Sequence, residues 1–470
     1  MPSLMVQGVS SHAGKSLVVT GLCRWLRRRG VRVAPFKAQN MSNNARVVDG
    51  GEIGTAQYLQ ALAAGMAPDV RINPVLLKPQ SHTTSQVVVS GVVDRELSDA
   101  PWRGRSHRLW PHVVDAFESL RHEFDVVVVE GAGSPAETNL WQDDITNMRV
   151  AELAGAPVLL VADVDRGGAF AHLYGTWALL PPNWRARIEG FLLNKFRGDV
   201  RLLDPAPADL HAATGVPTVG ILPWLDHRLP DEEGPTVRPG SGSEDGPLVV
   251  VACGPYASNL DEFVALQHVA RVRFVRGPVD LLGADLVILP GSKHVAADLA
   301  WMRAQGLDER VTVAGRSGVP ILGICGGLQM LGGAIDDPEG VEGAARGLDL
   351  LEVTTTYRGA KRTARTSARF GPLPEPWTWL AGRSVAGYEI RHGTTDAARS
   401  VTAALPHGLG YLDGNALGVY LHGVLEDHDV LAAFAGRRPP SLDAVFDQLA
   451  DAVDDSLDRT WLNDRLFNDR

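Results

Sequence analysis

A glycine-rich segment close to the start of the chain contains the residue types that bind phosphate groups. Residues 8–16, GVSSHAGKS, follow a short apolar run and precede an amphipathic stretch. Backbone N–H groups of such a turn, with the N-terminus of the next helix, surround phosphate oxygens. Lys15 can reach the β- and γ-phosphates of ATP, and the Ser16 hydroxyl can ligate Mg²⁺. Five residues separate the glycines where the usual pattern has four, so a plain helix-capping turn is the alternative. The predicted ATP-binding residues of this segment are Gly8, His12, Gly14, Lys15 and Ser16.

A second group of residues has the types used in nucleophilic catalysis. Cys325 stands between a predicted strand and a predicted helix in VPILGICGGLQMLG, with glycines on both sides. A sharp turn there places the sulfur at a helix N-terminus, where the dipole lowers the thiol pKa and favours the thiolate. His422 follows another predicted strand and can act as the paired base. Backbone N–H groups around Gly291, Ser292 and Gly326 can form an oxyanion hole. Cys23 and Cys253 are expected to be buried and inert.

Further polar residues follow predicted strands of the first half. Glu130 comes directly after four valines, and Glu52 lies in the glycine-rich segment DGGEIG. Because ligands bind at the carboxyl ends of parallel strands, Ser16, Glu52 and Glu130 are the predicted Mg²⁺ ligands. Lys37 is predicted to neutralise a transferring phosphoryl group, and Asn194 to bind the adenine edge. The competing interpretation for Glu52 is a helix N-cap. Lys37 can instead be a solvated surface lysine, and Asn194 a polar residue of a turn.

Composition excludes several classes of protein. The 470 residues are 45% hydrophobic, and 45 Lys and Arg against 55 Asp and Glu give a net charge of −10. An acidic chain without a basic stripe argues against nucleic-acid binding. Three scattered cysteines argue against a disulfide framework, and no apolar stretch approaches the roughly 18 residues that span a bilayer. A cytoplasmic enzyme with no membrane partner is expected.

Apolar runs alternate with helical patterns along most of the chain, which predicts two doubly wound α/β domains. Residues 1–228 form the first, P-loop NTPase-like domain, and residues 248–470 form the second, flavodoxin-like domain. Residues 229–247 are rich in Pro, Gly and acidic residues and are predicted to be a linker. The basic segment 357–370 is predicted to be a loop or an exposed hairpin. The predicted strands are 31–35, 125–129, 157–162, 190–193, 216–222, 248–252, 272–275, 286–289, 320–324 and one near 418–421.

Together these motifs resemble the cobyric acid synthases of cobalamin biosynthesis. The first domain is similar to dethiobiotin synthetase, and the second to class I, triad-type glutamine amidotransferases. The resemblance covers nearly the whole chain. The segments that carry it are FKAQNM (36–41), DGGEIG (49–54), NPVLLKP (73–79), NKFRGD (194–199), LPGSK (289–293) and the turn at Cys325.

The resemblance implies a reaction and its substrates. ATP phosphorylates a corrinoid carboxylate, and ammonia released from L-glutamine at the Cys–His site displaces the phosphate. The family amidates the b, d, e and g side chains of adenosylcobyrinic acid a,c-diamide, which yields adenosylcobyric acid. Gly291, Ser292 and Gly326 would then bind glutamine, and an internal route for ammonia between the two sites is a hypothesis. ATP and Mg²⁺ are the implied cofactors.

Three positions depart from the family pattern. Ala38 follows Lys37 where the family usually has proline. His12 occupies a position of the phosphate-binding turn where an acidic residue is expected. A class I triad has glutamate two residues after its histidine, whereas Val424 stands there in this chain. A Cys–His dyad is therefore predicted, with Glu426 and Glu389 as candidates to orient His422.

Two other functions compete with this interpretation. The sister enzyme that amidates the a and c carboxylates of cobyrinic acid shares both domains. A regulatory or partitioning P-loop ATPase, which acts as a switch, would leave the second domain without a role. Four cations of the basic segment are conceivable contacts to the corrin, but a solvated loop is the favoured interpretation. These cations are Arg358, Lys361, Arg362 and Arg365.

Overall fold

A computed structural model of the chain describes residues 2–80, 83–226, 229 and 245–467. It contains two α/β domains, which confirms the predicted fold class. The predicted linker 229–247 lies almost entirely outside the described residues. Within the described ranges, no helix combines the length and the apolar character needed to cross a membrane.

The first domain alternates strands and helices as its hydrophobic pattern predicts. Its helices are α1 (Lys15–Arg28), α2 (Thr55–Ala64), α3 (Arg95–Asp99), α4 (Arg105–Glu123), α5 (Met148–Ala154), α6 (Ala169–Leu179), α7 (Pro182–Arg185) and α8 (Ala206–Thr214). Its strands are β1 (Ser3–Gly8), β2 (Val33–Phe36), β3 (Gln39–Met41), β4 (Ala45–Val48), β5 (Gly51–Gly54), β6 (Val75–Pro79), β7 (Ser85–Val89), β8 (Val92–Asp94), β9 (Val126–Glu130), β10 (Val158–Asp163), β11 (Ile188–Phe196) and β12 (Thr218–Pro223).

A parallel sheet of order β12-β11-β10-β1-β9-β2 forms the centre of this domain. Its strands are runs of Val, Leu and Ala that are buried on both faces, because helices cover each side. All carboxyl ends therefore meet at one edge, which carries the residues predicted for the ATP site. A smaller sheet of order β3-β6-β7-β8 and the β4–β5 hairpin extend from this edge toward the second domain.

The second domain continues the α/β pattern. The helices after residue 248 are α9 (Val264–Gln267), α10 (Val295–Gln305), α11 (Leu307–Arg316), α12 (Gly326–Leu331), α13 (His428–Ala435), α14 (Leu442–Ser456) and α15 (Arg459–Leu466). Its strands are β13 (Leu248–Ala252), β14 (Ala257–Ser258), β15 (Arg271–Val275), β16 (Leu286–Leu289), β17 (Gly291–Ser292), β18 (Ile321–Ile324), β19 (Ala334–Asp336), β20 (Ala345–Arg346), β21 (Val353–Arg369), β22 (Ser384–Ala397), β23 (Thr402–Leu405), β24 (Gly410–Asp413) and β25 (Ala416–Val419).

The main sheet of this domain has the order β15-β13-β16-β18-β25-β24-β23. Its five parallel strands are thus arranged 2-1-3-4-5 along the chain, which is the flavodoxin-like order. The basic segment 357–370 belongs to a long hairpin of β21 and β22. The hairpin alternative for this segment was therefore the right one.

The C-terminal end of the chain differs from the predicted domain boundary. Helices α14 and α15 leave the second domain and pack on α1 and the edge of the first sheet. The apolar side of α14, including Phe446, completes the core beneath α1, and Trp461 Nε1 donates to the Glu189 carbonyl at 3.0 Å. Arg24 of α1 donates to the Asp443 and Asp447 carboxylates at 2.8 and 2.7 Å. An apolar face and opposite charges decide this placement, which sequence order alone does not show.

Truncating Phe446 to alanine is expected to lower the unfolding free energy of the first domain by about 3–5 kcal/mol. The side chain is only 2% exposed, and its loss opens a cavity beneath α1. Urea denaturation of the full chain measures the change. Leu442→Ala on the same helix is the control, because Leu442 is 43% exposed and should unfold as the unsubstituted chain does.

Candidate active site

The phosphate-binding turn, residues 8–16, connects β1 to α1 at the centre of the sheet edge. Gly14 has φ of +100°, and a Cβ there would lie 1.9 Å from the Asn194 amide nitrogen. Only glycine fits this position. Asn194 Nδ2 donates to the Ala13 carbonyl at 2.9 Å, and its Oδ1 accepts from the Lys195 N–H at 2.8 Å. Both polar atoms of the Asn194 amide are thus used within the chain. This geometry favours a role in stabilising the turn rather than the predicted contact with adenine.

The Glu130 carboxylate joins several predicted residues at the end of β9. Its Oε1 accepts from Ser16 Oγ at 2.8 Å and from Lys37 Nζ at 2.9 Å, and Glu130 is fully buried. Gln60 Nε2 donates to the other oxygen, Oε2. Lys37 is only 2% exposed, so the solvated-lysine alternative is wrong. Sequence reasoning missed Gln60, which lies on α2 without any motif around it.

This oxygen-rich corner fits a magnesium ion. Mg²⁺ prefers a few protein oxygens together with substrate phosphates and water. Ser16 Oγ and Glu130 Oε1 supply such donors beside Lys15, whose Nζ donates to the Ser10 and Gly133 carbonyls at 3.1 and 3.2 Å. Among the described residues, no cluster of three His, Cys, Asp or Glu side chains offers an all-protein metal site.

Glu52 is the predicted Mg²⁺ ligand that the structure does not bring to this corner. It is buried on β5, paired with Lys78 and with Lys361 of the second domain; the Lys361 Nζ to Oε1 distance is 2.6 Å. Burial raises the pKa of Glu52, but Lys78 and Lys361 outweigh this and hold the pKa well below its usual range. The β5 strand directs Glu52 toward the second domain, where its carboxylate binds two lysines. The prediction of Glu52 as a Mg²⁺ ligand beside Ser16 and Glu130 is therefore wrong.

A cavity of about 690 Å³ lies over the phosphate-binding turn, and we call it the nucleotide cavity. His12, Gly14, Lys15, Ser16 and Lys37 line it. Residues of the second domain close one side; they include Leu260, Asp261, Val264 and Phe274. Both domains therefore contribute to the space in which ATP and an acceptor would meet.

Cys325 lies at the sharp turn predicted between β18 and α12. Its φ of +53° and ψ of −107° are strained for a residue with a side chain. Gly327 permits the turn, because a Cβ there would lie 1.9 Å from the Leu289 carbonyl oxygen. Cys325 is 6% exposed, and its thiol donates to the Ile390 carbonyl at 3.3 Å. Strain of this kind is typical of a nucleophile held at a catalytic turn.

His422 lies beside Cys325 and is oriented by Glu262. The Glu262 carboxylate is 3.1 Å from His422 Nδ1, and it also accepts from the Gly423 N–H at 3.2 Å. Burial lowers the pKa of His422, but Glu262 and Cys325 outweigh it and raise the pKa to about 10. The geometry is that of a Cys–His–Glu triad.

This arrangement corrects the predicted dyad and both candidate third residues. Glu426 binds Arg46, with a 2.7 Å contact to Nη1, and Glu389 binds Arg362 and Arg391. Glu262 lies in a short turn, Leu260–Phe263, that is 160 residues from His422. Its only signal in the sequence was an acidic pair after the first strand of the second domain.

The predicted oxyanion residues gather around the same thiol. A Cβ at Gly326 would lie 2.7 Å from the Ser292 backbone nitrogen, and one at Gly291 would lie 3.2 Å from His422 Cε1. Ser292, Cys325 and Gly326 line a cavity of about 1000 Å³ that is bounded by both domains, and we call it the thiol cavity. Burial raises the pKa of Cys253 to about 12 and also raises that of Cys23, as expected for inert thiols.

Both halves of the chain match known domain families. Residues 4–235 match the CobQ/CobB/MinD/ParA nucleotide binding domain, and residues 248–430 match the CobB/CobQ-like glutamine amidotransferase domain. The cobyric acid synthase of Variovorax paradoxus (strain S110) is 54% identical over 462 residues, which cover 96% of each chain. That of Paracidovorax citrulli (strain AAC00-1) is 55% identical over 480 aligned positions, and the alignment covers 97% of each chain. The chain belongs to the cobyric acid synthase family.

Membership of the cobyric acid synthase family confirms the resemblance seen in the sequence. The chain is an amide-forming ligase with a nucleotide-binding domain and a glutamine amidotransferase domain. The alternative of a regulatory ATPase switch is therefore wrong. Two separate cavities, each lined by residues of both domains, lie in this cobyric acid synthase family member.

Proposed function

We propose that the chain amidates the b, d, e and g carboxylates of adenosylcobyrinic acid a,c-diamide with ATP and glutamine. The observation that carries this proposal is the pair of sites in one molecule. Ser16, Lys37 and Glu130 meet at the phosphate-binding turn, whereas Cys325 lines the thiol cavity and interacts with His422. Each site has the donors that one half of a glutamine-dependent ligation needs.

In the nucleotide cavity, a substrate carboxylate attacks the γ-phosphorus of ATP and gives an acyl phosphate and ADP. Lys15 and the N–H groups of the turn bind phosphate oxygens, and Lys37 offsets charge on the group being transferred. Mg²⁺ held by Ser16 and Glu130 would neutralise the phosphate oxygens. The buried Lys37–Glu130 pair keeps both groups in place without water.

In the thiol cavity, the Cys325 thiolate attacks the side-chain carboxamide carbon of glutamine. Imidazolium His422 gives its proton to the departing nitrogen, so ammonia and a glutamyl thioester form. His422 then removes a proton from water, whose oxygen attacks the thioester and releases glutamate. Glu262 holds the imidazole and stabilises its cationic form throughout, which agrees with the raised pKa of His422.

Ammonia finally attacks the acyl carbon, and inorganic phosphate leaves. Free ammonia is mostly ammonium at neutral pH, which cannot attack, so neutral ammonia released inside the protein is an advantage. The β4–β5 hairpin of the first domain lines the thiol cavity, and the Leu260–Phe263 turn of the second domain borders the nucleotide cavity. This interlocking supports an internal route between the sites.

Mass spectrometry of the corrinoid tests the proposal. The protein is incubated with Mg²⁺–ATP, glutamine and adenosylcobyrinic acid a,c-diamide, and a parallel sample omits glutamine. Stepwise addition of four amides that requires glutamine is the expected result. A second incubation contains cobyrinic acid in place of the diamide. Amidation of cobyrinic acid there, with the diamide left unchanged in the first incubation, would contradict the proposal in favour of the sister reaction.

Replacing Glu130 with glutamine is expected to lower ATP-dependent amidation about a hundredfold. The substitution removes the negative charge that Ser16 and Lys37 share, while the thiol cavity stays intact. Amide formation and glutamate release are measured together, and glutamate release should persist. Glu96→Gln is the matched control on the surface of the same domain, and equal activity of the two variants would contradict the assignment.

A further inference from the structure

The strand β4 of the first domain contacts the two segments that carry Glu262 and His422. Arg46 on β4 is buried, and its guanidinium binds Asp261 and Glu426 at once. Asp261 directly precedes Glu262 in the Leu260–Phe263 turn, whereas Glu426 lies four residues after His422. One side chain of the nucleotide-binding domain therefore connects both segments.

Hydrogen bonds of Asn44 and Ala45, at the start of the same strand, reinforce this connection. The Ala45 N–H donates to Asn259 Oδ1 at 3.2 Å, and the Leu260 N–H donates to Asn44 Oδ1 at 3.2 Å. Asn259 Nδ2 in turn donates to the Tyr388 hydroxyl at 3.3 Å. The Tyr388 ring stacks on the His422 imidazole, with centroids 5.0 Å apart. The turn that carries Glu262 is thus held from the first domain.

The carboxylates in this region need a cation between them to stay close together, and Arg46 supplies it. Asp261, Glu262 and Glu426 place three carboxylates near Tyr388, which stacks on His422, and Asp261 and Glu262 are buried. Arg46 is the cation that binds both Asp261 and Glu426. Without it, the two carboxylates repel each other, and the turn and the His422 segment move apart.

We infer that Arg46 is a positioning residue for glutamine hydrolysis, through which the nucleotide-binding domain holds Glu262 and His422 in their productive arrangement. This inference rests on the proposed glutaminase role of Cys325. Asp261 and Asn44 also line the nucleotide cavity. The connection therefore joins the two reaction sites. Glutamine hydrolysis then depends on the position of β4 of the first domain against the second domain.

Arg46→Met in the full chain tests this role. Glutaminase kcat is expected to fall roughly a hundredfold, because small displacements of catalytic groups have effects of that size. The KM for glutamine should stay unchanged, since Arg46 does not line the thiol cavity. Amidation supported by ammonium should also persist. Arg46→Lys keeps the charge but cannot bind both carboxylates in the same way, so an intermediate kcat is expected.

Controls separate this inference from the function on which it rests. Arg71→Met removes a guanidinium that binds Asp69 and Glu123 elsewhere in the first domain, and it should leave kcat unchanged. Unchanged kcat in both Arg46 variants would overturn the inference, as would an equal loss of ammonium-supported amidation. Glutaminase activity that is absent from the unsubstituted chain, or that survives Cys325→Ser, would remove the proposed function and the inference with it.

Discussion

Replacing Cys325 with serine is expected to abolish glutamine-dependent amidation, with a loss of glutaminase kcat on the order of 10⁶-fold. The hydroxyl of serine is a far weaker nucleophile than a thiolate beside imidazolium His422. Ammonium salts at high pH should restore amidation, because the substitution leaves Ser16, Lys37 and Glu130 untouched.

Glutamate release and corrinoid amidation are measured in the same reactions. Cys253→Ala is the matched control, since Cys253 is a buried thiol whose raised pKa keeps it unreactive. That variant should keep both activities. Glutamine-dependent amidation in the Cys325 variant would show that another group releases the ammonia. Failure of ammonium to restore amidation would contradict the separation of the two sites.

Replacing Glu262 with glutamine is expected to lower glutaminase kcat about 10⁴-fold, as for the neutral replacement of a triad carboxylate. The amide keeps the shape of the side chain but loses the charge that stabilises protonated His422. It can also bind the wrong tautomer of the imidazole. The wrong tautomer lowers the activity because Nδ1 must carry the proton that the carboxylate accepts, whereas an amide N–H can bind an unprotonated Nδ1.

The pH profile provides an independent test of this role. His422 is protonated below its pKa of about 10, so activity that needs the imidazolium is lost as the pH rises through that value. Without the Glu262 charge the pKa of His422 falls, and the alkaline limb of kcat/KM should move to lower pH. Glu389→Gln serves as the comparison, because Glu389 binds Arg362 and Arg391 and does not touch His422. A larger effect of Glu389→Gln than of Glu262→Gln would contradict the triad.

The sequence predicted the parts of the sites that depend on neighbouring residues. Glycine spacing, a lysine and a hydroxyl around residues 8–16 specify a phosphate-binding turn, because the turn is built from its own backbone. The turn at Cys325 is equally local. Continuous valine runs predicted parallel strands, and such strands place their carboxyl ends, with Glu130 and Lys37, at one edge.

Only the tertiary structure decided which distant side chains meet. Glu262, and neither Glu426 nor Glu389, orients His422, because the turn after β14 folds over the end of β25. Glu52, although surrounded by glycines, faces Lys78 and Lys361 instead of the phosphate-binding turn. In each case the partner lies on another element, so periodicity and spacing carry no information about it.

The position of the last two helices, α14 and α15, also depends on partners that are distant in the sequence. Sequence order assigned α14 to the second domain, yet its apolar face and its aspartates match the open side of α1. The sequence by itself determined two α/β domains, the glycine-rich turn of residues 8–16 and the sharp turn at Cys325, since those features are encoded within single segments. The triad, the position of Glu52 and the link through Arg46 arise only when the segments pack, because burial and charge pairing choose among many possible partners.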